Sequence, residues 1–266
     1  MENNTIKNIV IAGSGNVAEA IALAVHDCPA LTLRQIVARN SERAQHIASL
    51  AECDWCDDLG RAADADLYII SVSDRAVEQV AQQLRRSEGS IVVHTAGSVA
   101  VEVLGNQRCG VLYPFQTFTK GRRVDFSAIP LFVEGSDEAT TELIEQVART
   151  LSSRVWRATS ECRRDIHLTG VLACNFVNSL YAMAADHLME RQGLPFDVLR
   201  PLIEETARKA IDSEHPATVQ TGPAVRGDKE VSTRHQQMLS DCERKQQIYK
   251  LLTEQIWETS KKTLQR

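Results

Sequence analysis

The sequence predicts an α/β protein in which an N-terminal, doubly wound, mainly parallel sheet precedes an all-α C-terminal domain. Three observations carry that prediction. Apolar, strand-like runs alternate with helical stretches through the first half, a glycine-rich turn closes the first run close to the chain start, and beyond about Trp156 only long segments of helical period remain. Alternation of this kind implies a parallel sheet covered on both faces, which binds ligands at the carboxyl ends of its strands. The boundary is placed between residues 1–156 and 157–266.

The first run, residues 9–12, meets Gly13-Ser14-Gly15-Asn16-Val17-Ala18, a Gly-x-Gly-x-x-Ala turn. In this pattern the chain turns tightly at Gly13, Gly15 leaves room for a pyrophosphate on the amides of the next helix, and a small Ala18 lets helix and strand approach. The pattern alone is weak. Its context strengthens it, because an Ala-rich helical stretch (17–26) and a second apolar run (31–38) complete a strand-helix-strand unit.

At the end of that second strand, NAD sites carry an Asp or Glu for the ribose hydroxyls. This chain has Arg39-Asn40-Ser41, with Arg43 one helical turn on. A guanidinium fork, an amide and a hydroxyl suit a 2′-phosphate, which a carboxylate would repel, so the expected cofactor is NADP. The competing reading makes Arg39 and Arg43 solvated helix-cap charges.

Further strands are expected at 67–72, 91–94, 110–113 and 131–134, with a short third strand near Cys53 to Cys56. Helix starts are read at Ser41, at Ser73 and Asp74, and at Ser136. The strand ends then gather Val72, Ser73 and Asp74 with His94, Thr95, Ala96 and Gly97 and with Tyr113 to Thr117 around the ligand. Thr95 to Gly97 and Val72 to Asp74 are expected to orient a nicotinamide.

In the second half, helices are expected at 160–192, at roughly 199–213 and at 229–262. The first is apolar on much of its circumference, which suits a domain centre or a dimer interface, and a homodimer is expected. His167, Val171, Asn175 and Asn178 follow in helical steps along one side. They form either a hydrogen-bonded core network or a row facing a substrate, since burying idle amides is costly. The turn from Thr221 to Asp228 holds Arg226 as a candidate clamp for a carboxylate or phosphate, or as the partner of Asp228 in a bracing ion pair. Asp228 is the expected cap of a helix carrying His235.

At 266 residues, 43% apolar and net charge −5, the chain lacks the basic balance of a nucleic-acid binder. No contiguous apolar run reaches the ~20 residues of a membrane span, and no secretory leader is read, so a cytoplasmic setting without membrane or nucleic-acid partners is expected. Seven scattered cysteines read as reduced thiols. Cys53 and Cys56 have the spacing of a redox or half-zinc motif, but no second pair follows, and no metal site is assigned.

Taken together, residues 9–18, Ile69 to Asp74, His94 to Ser98, Tyr113 to Phe118, His167 with Ala173 to Asn178, and Thr221 to Asp228 followed by His235 make the chain resemble a known family. It is similar to the Rossmann-like candidate NADP oxidoreductases whose helical C-terminal half, of unassigned function, is like that of 6-phosphogluconate dehydrogenase. More distantly it is similar to pyrroline-carboxylate reductases, deazaflavin-dependent NADP reductases, ketopantoate reductase and the β-hydroxyacid dehydrogenases. In the last two, a catalytic Lys lies on the first long helix of the second domain. Here His167 stands in its place, Val171 occupies the next turn and Asn175 keeps an amide.

The resemblance implies hydride transfer to or from a small carbonyl or imine compound, expected to be anionic and bound between the domains. His167, Asn175 and Arg226 would be the reaction residues, with His94 or His235 assisting. The missing Lys also feeds an alternative, a non-catalytic NADP(H) sensor or scaffold.

Overall fold

The computed structural model describes residues 5–105 and 108–264. It divides into two compact units, 1–175 and 176–266, each described by itself.

The first unit is built on an eight-stranded sheet in the order β3-β2-β1-β4-β5-β6-β7-β8. The strands are β1 (Asn8–Ala12), β2 (Thr32–Val37), β3 (Asp54–Cys56), β4 (Leu67–Ile70), β5 (Ile91–His94), β6 (Cys109–Pro114), β7 (Leu131–Gly135) and β8 (Val155–Arg157). The helices are α1 (Asn16–His26), α2 (Ser41–Leu50), α3 (Val77–Gln83), α4 (Glu138–Leu151) and α5 (Ser160–Gly170). Along β1, Ile9 and Ile11 join one apolar cluster while Val10 and Ala12 join the other, so both sheet faces are buried. That double burial explains why these strands read as continuous apolar runs instead of alternating ones.

Two features of this mainly parallel sheet go beyond the sequence reading. β7 runs antiparallel to β6, whereas the other described pairings are parallel. β8 was not expected; it has three residues and only Val155 of them is buried, which leaves little periodicity to detect. Helix starts also shift by a residue: Asn40 caps α2 by accepting from the Arg43 amide, and Asp137 caps α4 by accepting from Thr140. In both cases a side chain that accepts well from the first turn lies beside the serine read as the start.

The helical stretch Ser160–Gln192 forms as expected but is interrupted by a π-helical segment, Val171–Phe176, before α6 (Val177–Gln192). Leu168, Leu172 and Phe176 are exposed, which removes the reading of a helix buried in a domain centre. The stretch has a window of mean hydropathy 1.3 and is long and apolar enough, by length and composition, to cross a membrane.

The second unit continues with α7 (Arg200–Asp212), α8 (Pro223–Arg226), α9 (Lys229–Met238) and α10 (Glu243–Leu264). The single helix expected over 229–262 is thus two helices, broken at the Leu239 to Cys242 turn, where the Leu239 amide folds back onto the His235 and Gln236 carbonyls. Asp228 caps α9 through the Val231 amide, as its position before the helix suggested.

Candidate active site

Strand order reverses at β1, between β2 and β4, and a cavity of about 1000 Å³ opens at the carboxyl ends of these strands. In doubly wound sheets this switch point is where ligands bind. Gly13 turns the chain at φ 140°, and a Cβ there would lie 2.0 Å from the Ser71 carbonyl oxygen. Glycine at this position is therefore a requirement of the fold.

Gly15 differs. Its φ is an ordinary −75°, and a Cβ there would meet nothing within 4 Å. It caps α1 without any side-chain hydrogen bond, so the amides opening this helix face a space that the protein itself does not fill. A phosphate group fits that cradle, with Gly13, Ser14, Gly15, Asn16 and Val17 all on the cavity wall.

Arg39 and Asn40 line the same cavity. Among the described residues the Arg39 guanidinium makes no ion pair or hydrogen bond, which leaves its fork open for a ligand. Arg43 is committed elsewhere: Nη2 pairs with Glu19 on α1, and Nε donates to the Ser14 carbonyl at 3.3 Å. It therefore braces the glycine turn, and Ser41, at the start of α2, is not part of the cavity wall.

The same cavity is lined by Val72, Ser73, Asp74, Thr95, Ala96, Gly97, Tyr113 and His167. Thr95 donates to the Ser71 hydroxyl at 3.2 Å, and Asp74 accepts from the Ser98 hydroxyl. His167 Nδ1 and the Tyr113 hydroxyl are 3.1 Å apart. Burial pushes the Tyr113 phenol up to about 12, so it keeps its proton at neutral pH. Tyr113 was not singled out from sequence for the chemistry. Its position at a strand end was the signal available.

His94 requires a correction. It is 0% exposed, lies outside the cavity lining, and its Nδ1 accepts from the Ala96 amide at 3.2 Å. Burial first, then the Arg163 guanidinium, lower its pKa to about 4, against the Ala100 carbonyl, Glu134 and Asp74, which raise it. A neutral, enclosed imidazole shapes the 95–97 turn and is not a proton donor to substrate.

Arg163, also 0% exposed, lies one helical turn before His167 on α5. Its Nη1 pairs with Glu134 of β7, and its Nη2 donates to the Val99 carbonyl and, at 3.2 Å, to the Ser160 hydroxyl. Glu134 in turn accepts from the Ser160 amide at 2.9 Å. One buried ion pair thus fixes both the helix carrying His167 and the loop that follows Gly97.

Asn175 is exposed in the π-helical segment, so the reading of a buried core network does not apply to it, and it is not among the residues lining this cavity. Arg226 and His235 belong to the second unit. Arg226 ends α8, exposed and without an ion pair among the described residues, so the bracing pair with Asp228 is absent. His235 Nδ1 meets the Tyr249 hydroxyl at 2.9 Å and ties α9 to α10. Among the described residues no cluster of His, Cys, Asp or Glu is arranged to hold a metal ion. Burial, with Asp54 second, raises the Cys53 thiol to about 11, unlike a reactive thiolate.

A glycine turn at the head of a doubly wound sheet, opening on a cavity at the switch point, defines the class of dinucleotide-binding α/β proteins. Residues 8–97 match the family described as NADP oxidoreductase coenzyme F420-dependent, and residues 129–256 match a Domain of unknown function (DUF2520). A candidate NADP oxidoreductase from Bacteroides fragilis is 40% identical, with 96% of this chain and 99% of that one covered and a TM-score of 0.85. This chain belongs to that family.

A protein from Thermotoga maritima is 18% identical over 95% of this chain and 99% of its own, with a TM-score of 0.80. An imine reductase from Pseudomonas sp. is 15% identical over 91% and 88%, with a TM-score of 0.61. At these identities both show the fold alone. The comparison with curated proteins returned no match.

Proposed function

We propose that this protein is an NADP-dependent oxidoreductase acting on a small carbonyl or imine compound. The observation that carries the cofactor half is Gly15, which neither backbone conformation nor protein packing requires to be glycine, beside a free Arg39 on the same cavity wall. When bound, the nicotinamide supplies hydride chemistry. Gly13 to Val17 hold the pyrophosphate, Arg39 and Asn40 take the 2′-phosphate, and Val72 to Asp74 with Thr95 to Gly97 orient the ring. His167 handles the proton at the substrate heteroatom. The imine half of the substrate range draws on the fold shared with an imine reductase.

Arg226, exposed and without an ion pair among the described residues, is assigned to an acidic group of the substrate, with Asn175 as a further hydrogen-bonding group. We further assign a homodimer joined through the exposed Leu168, Leu172 and Phe176, and a cytoplasmic setting that suits seven free thiols. The net charge of −5 gives no basic footprint for nucleic acid.

The test is NADPH oxidation across keto acids, aldehydes and cyclic imines, with binding measured in parallel. Turnover on at least one class is expected. Tight NADPH binding without turnover on any would favour a sensor. Arg39→Asp is expected to weaken NADPH by roughly tenfold or more while sparing NADH; equal loss of both would remove the 2′-phosphate assignment. Sedimentation reads the dimer, and partition into lipid vesicles would replace it with a membrane role for Ser160–Gln192.

A further inference from the structure

At the His167 end of the cavity, two side chains and one glycine occupy a space too small for anything more. A Cβ on Gly97 would lie 2.7 Å from His167 Nδ1 and 2.8 Å from Tyr113 Cζ. Gly97 has no left-handed backbone to explain it, so its lack of a side chain is what lets the imidazole, the phenol and the turn meet. The rings stand edge to face, at 65° with centroids 6.1 Å apart. The ion pair of Arg163 with Glu134 holds α5 so that this contact persists.

We propose that Tyr113 and His167 work as one proton relay, in which the Tyr113 hydroxyl donates to Nδ1 and His167 presents Nε2–H to the substrate. This rests on the reading of the cavity as a reaction site. The direction of the hydrogen bond follows from chemistry: the buried phenol retains its proton, and an imidazole nitrogen is a better acceptor than a phenol oxygen. With Nδ1 accepting, a neutral ring carries its hydrogen on Nε2.

The step balances atom by atom. The substrate heteroatom takes the Nε2 proton on its own electron pair while the Tyr113 proton moves to Nδ1, so one N–H bond breaks as another forms. The imidazole stays neutral, and Tyr113 is left as a phenolate that regains a proton from solvent. The Arg163 guanidinium favours that phenolate, whereas the Asp74 carboxylate opposes it. Tyr113 is thus assigned a catalytic role, with Arg163 and Gly97 as positioning residues.

Two measurements test the relay. The first needs neither cofactor nor substrate: nitrogen-15 NMR of the histidines in the free protein should show neutral His167 protonated at Nε2. In Tyr113→Phe the preference should weaken, and in Gly97→Ala it should shift the same way, with melting temperature checked for each. A wild-type ring protonated at Nδ1 would overturn the proposal.

The second compares Tyr113→Phe, His167→Ala and the double variant on a turned-over substrate. Each single change should lower kcat by about 10²-fold at unchanged NADPH affinity, and the double change should cost no more than the worse single one. Full activity in Tyr113→Phe, or multiplicative losses, would overturn the relay. Should His167→Ala keep full turnover with NADPH bound, the site reading itself fails, whereas the NMR result still decides the hydrogen bond.

Discussion

Two histidine–tyrosine pairs occur among the described residues, at nearly the same separation and in opposite circumstances. His167 and Tyr113, 3.1 Å apart, line a cavity at the carboxyl ends of a parallel sheet. His235 and Tyr249, 2.9 Å apart, join two helices of the second unit. The same two functional groups therefore serve a candidate reaction in one place and helix pairing in the other. What separates them is surroundings: the first pair presses on a glycine that must lack a side chain and is anchored by a fully buried arginine, whereas the second has no such frame. Role follows from the site, not from residue type.

The largest effect expected is at that frame. Arg163→Met leaves Glu134 without its buried partner and frees the loop at Val99, a change that costs about 3–5 kcal/mol. Urea unfolding followed through the first unit should show it. A loss below about 1 kcal/mol would mean the pair contributes no more than a surface bridge, and the contrast between the two pairs would weaken.

His94 gives the next effect, and its sign is fixed by its depressed pKa. The unfolded imidazole takes its proton near 6.5 and the folded one only near 4, so between these values the unfolded state binds the extra proton. Stability should fall by about 3 kcal/mol as pH drops through that window and be unaffected above it. His94→Asn should flatten the slope relative to wild type; parallel curves would show that the ring is charged in the fold.

Gly15→Ala separates ligand demand from fold demand. Melting temperature should hold, because nothing in the protein meets the new methyl, while NADPH affinity should fall about tenfold, some 1.4 kcal/mol, in calorimetry. Unchanged affinity would remove the phosphate from the turn. The smallest effect belongs to the second pair: Tyr249→Phe should cost about 1 kcal/mol of stability with kcat unaltered. A fall in kcat would erase the distinction between the pairs.

The sheet was legible because burial on both faces writes each strand as an apolar run, as in β4, where all four residues are buried. The glycine turn and the polar strand ends were legible for the same reason, since topology places them together. β8 escaped, being short and half exposed, and the antiparallel entry of β7 leaves no mark in composition. The π-helical segment cannot be read from a pattern that assumes regular turns. Arg39 and Arg43 look alike as letters, yet one is free and the other is bound to Glu19 and Ser14.

By itself the sequence determined the layered α/β architecture, the turn at Gly13 and the helical second half, because these depend on local periodicity and backbone limits. Tertiary structure decided which polar groups are available. It enclosed His94, committed Arg43, left Arg39 open and brought Tyr113 from β6 against His167 from α5, 54 residues apart. Burial and pairing are properties of neighbours distant in sequence, and they alone determine whether a titratable group holds the fold or faces a substrate.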